Sequence, residues 1–544
     1  MLTPDRRRRF GIGPVVAVSA LALVSFFNVA FFVNTARSYP PLQGNIGFLL
    51  SLAVLLCALS TLLLALACNR YTVKPLLMLL FPAAATAAYF MDSYNVIIDS
   101  QMLGNALQTN LAEASDLFSA RLLLYIVFLG LLPAAVIYRL PLVTAPIWEG
   151  LRSTARVTLL SVTAMGLAIA PFSAQYASFF REHKVLRYYA NPVSPLYAVG
   201  AHFSKRHAVD PDLPRTVLGS DATIAANDRE RELVIMVVGE TARADRFSLN
   251  GYARKTNPEL EKFESLVSFS AMQSCATSTA VSLPCMFALP DGESVDVDAF
   301  HRSENLLDVL KHAGVTVLWR DNNSDSKGVA RDIAFEDFRG PDRNPDCDTE
   351  CRDPGMLAGL DRFVDGVKAG DILIVLHQMG NHGPAYARRY PPAFEVFRPV
   401  CDSNQLEQCS LEEINNSYDN AIRYTDYFLG KTIEFLRSYD TRFETALFYI
   451  SDHGESLGER GLYLHGLPNL VAPAEQREVA SVMWFGDNFK ADRGKVSAHS
   501  ADRLTHANVF HTVLGMFEVH TGIYRKELDI LKGARGQPGP DGIL

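Results

Sequence analysis

Positive charge is scarce in this chain. Its 544 residues hold 51 Lys and Arg against 59 Asp and Glu, a formal net charge of -8. No Lys/Arg stripe forms a track for a phosphate backbone, which argues against a general nucleic-acid binder. None of the eight cysteines forms a Cys-x-x-Cys pair, the commonest spacing of a cysteine metal site. Internal repeats and long low-complexity tracts are missing too. Apolar residues make up 49% of the chain but are unevenly spread. The first third is nearly all apolar, and the remainder has ordinary globular composition.

What the first third holds is a series of runs long enough to cross a bilayer, which takes about 17–25 residues. Five candidates stand at about 11–34, 47–67, 75–91, 119–138 and 155–175. The third is short and interrupted by Pro82. The first exceeds the apolar core of a signal peptide, with no small-x-small cleavage site after it, and reads as a retained anchor. Arg6 to Arg9 precede it and stay cytoplasmic by the positive-inside rule. Arg70, Lys74, Arg139, Arg152 and Arg156 then fall on the same side. An odd number of spans places the C-terminal part across the membrane.

Cysteine usage agrees with export. Cys57 and Cys68 lie in or beside a span, whereas Cys275/Cys285, Cys347/Cys351 and Cys401/Cys409 form three close pairs in the C-terminal part. Such pairs suit disulfides in an oxidising compartment better than a metal site. The domains expected are therefore a membrane domain over 1–178, a bridge over 179–230 and a periplasmic domain over 231–544. A polar insert near 92–118 carries Asn105, Thr109 and Glu113, whose spacing of four predicts one helical face. A solvated face explains it as well as a lipid-facing one. Aromatic and basic residues mix from Phe179 to Tyr189, which predicts an interfacial helix. The Gly/Pro-rich tail from Gly533 to Gly542 reads as loose.

From about 231 the pattern alternates. Strands are expected over 232–239, 315–320, 371–377, 445–451 and 478–485, with helices over 303–313, 411–438 and 505–517. That is the signature of a layered α/β domain with a mostly parallel sheet. Ligands gather at the carboxyl ends of such strands. Glu240 follows the first strand; Asp452 and His453 follow the fourth. Two carboxylates and an imidazole suit a zinc-like cation. The loop from Cys275 to Cys285 is rich in hydroxyls, and a hydroxyl beside a cation becomes a nucleophile. Spacing does not choose among Thr277, Ser278, Thr279 and Ser282, and a disulfide-tied surface loop is the simpler reading. His377 and His382 flank a second strand end, and His465 follows in Leu464-His465-Gly466. A lone histidine is most often structural, but the two Gly-flanked ones, His382 and His465, suit acid/base or metal work. Lys327, in the polar loop after Trp319-Arg320-Asp321, is a candidate phosphate binder, though a polar loop needs no such role.

Taken together, Glu240-Thr241-Ala242-Arg243, the Cys275…Thr279…Cys285 loop, Trp319-Arg320-Asp321-Asn322-Asn323, Asn381-His382-Gly383-Pro384 and Ser451-Asp452-His453-Gly454-Glu455-Ser456 resemble the lipid A phosphoethanolamine transferases, including the polymyxin (colistin) resistance enzymes. The resemblance spans nearly the whole chain. It implies a five-helix transmembrane bundle followed by an α/β domain like alkaline phosphatase and the sulfatases, its sheet lying between helices. It implies a zinc shell of Glu240, Thr279, Asp452 and His453, with Thr279 as nucleophile. His382 and His465 match histidines that hold a second zinc or contact substrate and manage protons. Ser324 and Lys327 match residues near the substrate headgroup, and Asn105, Thr109 and Glu113 match membrane-side residues assigned to lipid. The cysteines would pair as 275–285, 347–351 and 401–409. Ala276 departs from the glycine expected in the nucleophile loop.

The implied activity moves phosphoethanolamine from phosphatidylethanolamine to a lipid A phosphate at the periplasmic face of a bacterial inner membrane, with the enzyme a monomer. The acceptor could instead be a lipopolysaccharide core sugar or a glucan. A sulfatase is disfavoured because no Cys/Ser-x-Pro-x-Arg motif lies near Cys275. An inactive membrane sensor is disfavoured by the intact Thr279, Glu240, Asp452 and His453.

Overall fold

A computed structural model describes residues 10–108, 111–143, 146–181, 183–206, 215–226, 230–290 and 297–535. The chain divides into two compact units. One comprises Met1–Leu107 with Leu117–Ala208, and the other Gln108–Asp116 with Val209–Leu544.

The first unit is helical. Four of its described helices are long and apolar enough to span a membrane: Ile46–Ala67, Val73–Tyr94, Ala120–Arg139 and Ile147–Arg181. A fifth span exists if Ile12–Phe26 and Val29–Ser38, bent by 58°, count as one. The span expected over about 11–34 is thus bent. The cause is Asn28, buried at the bend. Its amide donates to Leu23 O at 3.0 Å and to Asn191 O at 2.7 Å. Away from water these bonds repay the lost helix geometry, because an unsatisfied polar group in lipid is costly. Pro82 does not end its helix. Val73–Tyr94 runs through it, and Gly130 of the facing helix comes so close that a Cβ there would sit 2.9 Å from Pro82 Cα. Around that approach the facing helix widens to π geometry over Tyr125–Leu131, as helices do where an extra residue must be absorbed.

In the polar insert, helix Ser100–Gln108 carries Asn105 and helix Leu111–Leu117 carries Glu113. Thr109 lies outside the described residues, as do Gly536 to Gly542 of the tail. Phe179 to Arg181 close the last spanning helix. Lys184–Tyr189 forms a 3-10 turn, and helix Val193–Arg206 follows.

The second unit is built on a seven-stranded sheet. Its strands are β1 (Glu232–Gly239), β2 (Leu266–Gln273), β3 (Thr316–Asp321), β4 (Ala334–Asp337), β5 (Ile372–His377), β6 (Glu444–Ser451) and β9 (Glu478–Phe485); a separate hairpin pairs β7 (Ser456–Leu457) with β8 (Tyr463–Leu464). The spatial order is β2-β9-β6-β1-β5-β3-β4. Strands β6, β1, β5, β3 and β4 run parallel, and β9 is antiparallel to β6 and β2. All five expected strands form; β2 and β4 are additional.

Every residue of β1, β5 and β6 is buried, the continuous apolar pattern of a sheet covered on both faces. Val234, Met236 and Val238 join a core with Leu283, Leu306 and Val509 from three helices: Thr279–Phe287, Leu306–His312 and Ala507–Met516. The opposite face is covered by the 27-residue amphipathic helix Leu411–Arg437. Its start is fixed by a capping box between Ser410 and Glu413, which satisfies two free N–H groups at the first turn. The six exported cysteines pair as Cys275–Cys285, Cys347–Cys351 and Cys401–Cys409.

Candidate active site and metal centre

The carboxyl ends of β1 and β6, central neighbours in the sheet, bring Glu240 beside Asp452 and His453. Thr279 arrives from a different direction, as the first residue of helix Thr279–Phe287. Its Oγ1 donates to Glu240 Oε2 at 3.0 Å and lies 3.3 Å from His453 Nε2. Glu240, Asp452 and His453 are wholly shielded from solvent, and Thr279 is 9% exposed. So of the four candidate hydroxyls, Thr279 is the one bonded into the cluster. Thr277 turns away to Leu467 O, and Ser282 bonds Ser278 O within its own helix.

Buried charges need a partner, and here the pairing is unfinished. Glu240 Oε1 and Asp452 Oδ2 have no hydrogen-bond donor. Those two atoms lie 3.3 and 3.4 Å from His453 Nε2. The other ring nitrogen, Nδ1, bonds Gly454 O at 3.0 Å. A neutral His453 therefore donates from Nδ1 and turns its Nε2 lone pair toward two carboxylate oxygens. That arrangement is stable only with a proton or a cation between them. The titration follows the same logic. Burial alone would lower His453, but Asp452 and Glu240 override it and push it up to about 10. Burial raises Asp452, with the Glu240 charge adding to it. Glu240 stays well below the usual carboxylate range, because His453 outweighs its burial. Ligand atoms of Glu240, Asp452 and His453 all lie within 4.8 Å of one another. The donor set fits a metal ion.

Supporting residues hold the shell in place. Asn323 Nδ2 donates to Glu240 Oε2 at 2.7 Å and to Gln378 O at 2.9 Å. Thr241, next to Glu240, adopts a left-handed backbone with φ of 51°, a strained state for a β-branched residue. Its carbonyl is held by Tyr418 OH and its N–H reaches Asp452 Oδ1 at 3.3 Å.

The His465 ring centroid lies 4.3 Å from that of His453, the rings tilted by 41°, and 5.6 Å from that of His382. His465 Nδ1 pairs with the buried Glu455 Oε2 at 2.8 Å, and Tyr386 OH donates to the other Glu455 oxygen at 2.6 Å. His453, Glu455 and His465 form a second group of metal-ligand type. Lys327 Nζ donates to Ser324 O at 2.7 Å, in the loop that also carries Asn323. His377 is fully buried on Asp321, at 2.8 Å, beneath the site floor. Asn105 is half-buried in the first unit, and Glu113 lies in the segment grouped with the second.

Two groups of residues around the site carried no sequence signal. Asp353 accepts from Met379 N at 2.9 Å and Gly380 N at 3.1 Å, fixing the loop that leads to His382. Arg389 Nε donates to His382 O at 2.7 Å, while its guanidinium pairs with Glu350 and Asp116. Asp353 acts across 26 residues, and Arg389, only seven from His382, takes its anchor Asp116 from 273 residues away; only the Asn-His-Gly-Pro turn marks the region.

Comparison with known proteins places this arrangement. Residues 232–519 match the family described as Sulfatase. The class is therefore an alkaline-phosphatase-superfamily domain attached to membrane helices. Residues 56–207 match the family described as Phosphoethanolamine transferase EptA/EptB. The chain is 42% identical over 528 residues to Phosphatidylethanolamine transferase Mcr-2 of Escherichia coli, covering 94% of this chain and 97% of that protein. It is 35% identical over 533 residues to Phosphoethanolamine transferase EptA of Escherichia coli K12, covering 95% and 96%. The solved structure of the integral membrane lipooligosaccharide phosphoethanolamine transferase A from Neisseria meningitidis superposes with a TM-score of 0.92 at 32% identity, over 97% of this chain and 100% of that one. This chain belongs to the phosphoethanolamine transferase family. It is a multi-pass inner-membrane protein with its α/β domain in the periplasm.

Proposed function

We propose that this protein transfers phosphoethanolamine from phosphatidylethanolamine to a phosphate of lipid A, through a covalent intermediate on Thr279. The observation that carries the reading is Thr279 Oγ1 held at 3.0 Å from Glu240 Oε2 and 3.3 Å from His453 Nε2. A hydroxyl fixed between a carboxylate and an imidazole is positioned and can lose its proton, the two requirements for a nucleophile. Glu240, Asp452 and His453, with the Thr279 oxygen, would hold zinc, which supplies a lowered hydroxyl pKa and offsets charge on phosphoryl oxygens.

In the first half-reaction Thr279 Oγ1 forms a bond to phosphorus, and the phosphorus–oxygen bond to diacylglycerol breaks. The departing oxygen takes up a proton, and His465, steadied by Glu455, or its neighbour His382 supplies it. In the second half-reaction an oxygen of the lipid A phosphate attacks the same phosphorus, and the Thr279 ester bond breaks. Water is excluded because the shell is buried, which favours transfer over hydrolysis. Ser324 and Lys327 face the headgroup phosphate in this reading, and Asn105, Thr109 and Glu113 attend the lipid. Adding an amine to an anionic surface weakens attraction for cationic peptides such as polymyxin.

One firmly held zinc is the expected content. His453 belongs to both metal-type groups, and its Nδ1 is engaged by Gly454 O. Its single free nitrogen serves one ion, so a second zinc would rest on Glu455, His465 and His382.

The test is intact-mass analysis of protein mixed with phosphatidylethanolamine and quenched. A phosphoethanolamine adduct on Thr279 is expected, absent in Thr279→Ala; no adduct in the wild type refutes the intermediate. Lipid analysis of expressing cells separates acceptors. Label on core sugar rather than lipid A overturns the acceptor assignment.

A further inference from the structure

The membrane unit contains a cavity of about 430 Å³ lined by none of the residues assigned above to the transfer reaction. One wall is the apolar face of helix Ile46–Ala67, with Leu52, Leu55, Leu56 and Leu59 at the spacing of a single helical stripe. That stripe runs about 10 Å along the axis, at 1.5 Å per residue. Phe31 and Phe179 also line it, both 3% exposed.

The polar lining side chains are Arg187, Tyr188, Ser194 and Tyr197. They come from the 184–197 segment, which leaves the last spanning helix on the periplasmic side. Arg187 is the one cation among the lining residues, and no lining residue is acidic. Its guanidinium lies 5.3 Å from the Tyr188 ring centroid and pairs with no carboxylate among the described residues. Tyr197, 75% exposed, stands beside it. Tyrosine and arginine with an apolar body below and a wet rim above are the side-chain types of the membrane interface.

We propose that this slot binds one glycerophospholipid of the periplasmic leaflet, an acyl chain along Leu52–Leu59 and its phosphate on Arg187. The inference rests on the membrane reading of the first unit and not on the transfer chemistry. A slot without a carboxylate has nothing to read an amine. It is therefore a phosphate-and-chain site, filled alike by ethanolamine and glycerol headgroups.

Native mass spectrometry of the full-length protein, delipidated and then supplied with defined lipid, tests this. Phosphatidylethanolamine and phosphatidylglycerol should bind one per chain with affinities within about twofold. Diacylglycerol, which lacks phosphate, should bind about tenfold more weakly, the worth of one charge-assisted hydrogen bond. Arg187→Gln should reduce both phospholipids to the diacylglycerol level, and Leu59→Trp should empty the slot. Circular dichroism melts of both variants establish that they fold; a variant that does not fold is replaced by Leu55→Trp. Equal retention by wild type and Arg187→Gln overturns the proposal. So does a preference above about tenfold for the ethanolamine lipid, which would make the slot an amine-reading donor site. Because the readout is binding, an inactive Thr279 leaves it untouched.

Discussion

Asn323 shows how a residue outside the metal shell governs it. Its amide gives one N–H to Glu240 Oε2 and the other contact to Gln378 O. Removing it leaves a buried carboxylate oxygen with a donor fewer and frees Glu240 to rotate. Asn323→Ala should lower zinc affinity by about 10–100-fold, the usual effect of losing a residue that orients a ligand. Competition against a chelator of known affinity measures it; unchanged affinity would show that Glu240 is held by Thr279 alone. Gly454 is constrained differently. A Cβ there would stand 2.2 Å from Glu475 O, and backbone cannot swing aside as a side-chain tip can. The Gly454 carbonyl also anchors His453 Nδ1. Gly454→Ala should therefore destabilise the domain by about 2 kcal/mol or more, in the range of overpacked sites, and lower the zinc content of purified protein. A melt equal to wild type would mean that the 474–476 turn shifts freely.

Around these residues, elements act as braces. The hairpin tied by Cys347–Cys351 carries Glu350 and leads into Asp353, so it grips the His382 loop at two points: Asp353 on the Met379 and Gly380 N–H groups, and Glu350 on Arg389. Arg389 is 2% exposed at its side chain. A planar fork spreads its donors over three nitrogens and reaches three separated acceptors, whereas an ammonium holds all its N–H groups on one atom. Arg389→Met should cost about 2 kcal/mol, because Glu350 loses this partner and Asp116 keeps only the more exposed Arg388, at 3.2 Å. Arg389→Lys should recover much of that stability but little of the lost turnover, since His382 O loses its donor. If both variants transfer at the wild-type rate, His382 needs no such support. Little of this was legible in the sequence. Strands β1, β3, β5, β6 and β9 were, because a strand buried on both faces of the sheet, parallel or antiparallel, is a largely continuous apolar run. Strand β2 was not: Ser268 and Ser270 interrupt it, and β9 rather than its own pattern holds it in place. Strand β4 is four residues, Ala-Phe-Glu-Asp, on an exposed edge. Glu240, Asp452 and His453 could be read because strand ends are marked in the chain. The hydroxyl could not be chosen from spacing, because what singles out Thr279 is where its helix begins relative to β1. The bend at Asn28 escaped because its partner, Asn191, lies 163 residues away.

For the periplasmic domain as a whole, two histidines set opposite limits on stability with pH. His506 is wholly buried behind the nucleophile loop. Its Nε2–H donates to Ser451 O at 3.1 Å, and its Nδ1 faces Cys275 Sγ at 3.6 Å. A second proton on Nδ1 would find no acceptor, and burial holds the ring's pKa down to about 4, with His453 nearby adding to the effect. The unfolded chain takes up that proton near 6.5. Between those values the unfolded state binds more protons, so stability rises with pH across the window and is lost as pH falls through it. The shift corresponds to about 3 kcal/mol at full extent. His453 works the other way in metal-free protein. Raised to about 10, its contribution is complete below about 6.5 and disappears as pH climbs toward 10. Chelated protein should thus melt highest between the two windows. Zinc should flatten the alkaline side, because a divalent ion replaces the His453 proton between Glu240 and Asp452 and stabilises by mass action. His506→Gln keeps a side-chain N–H for Ser451 O and cannot be protonated, so it should shrink the acid limb and leave the alkaline one. His511, which burial also lowers to about 4, keeps its own share of the acid limb. Melting curves from pH 4 to pH 10, with and without zinc, read both limbs, and an acid limb unchanged in His506→Gln would assign it to His511 alone.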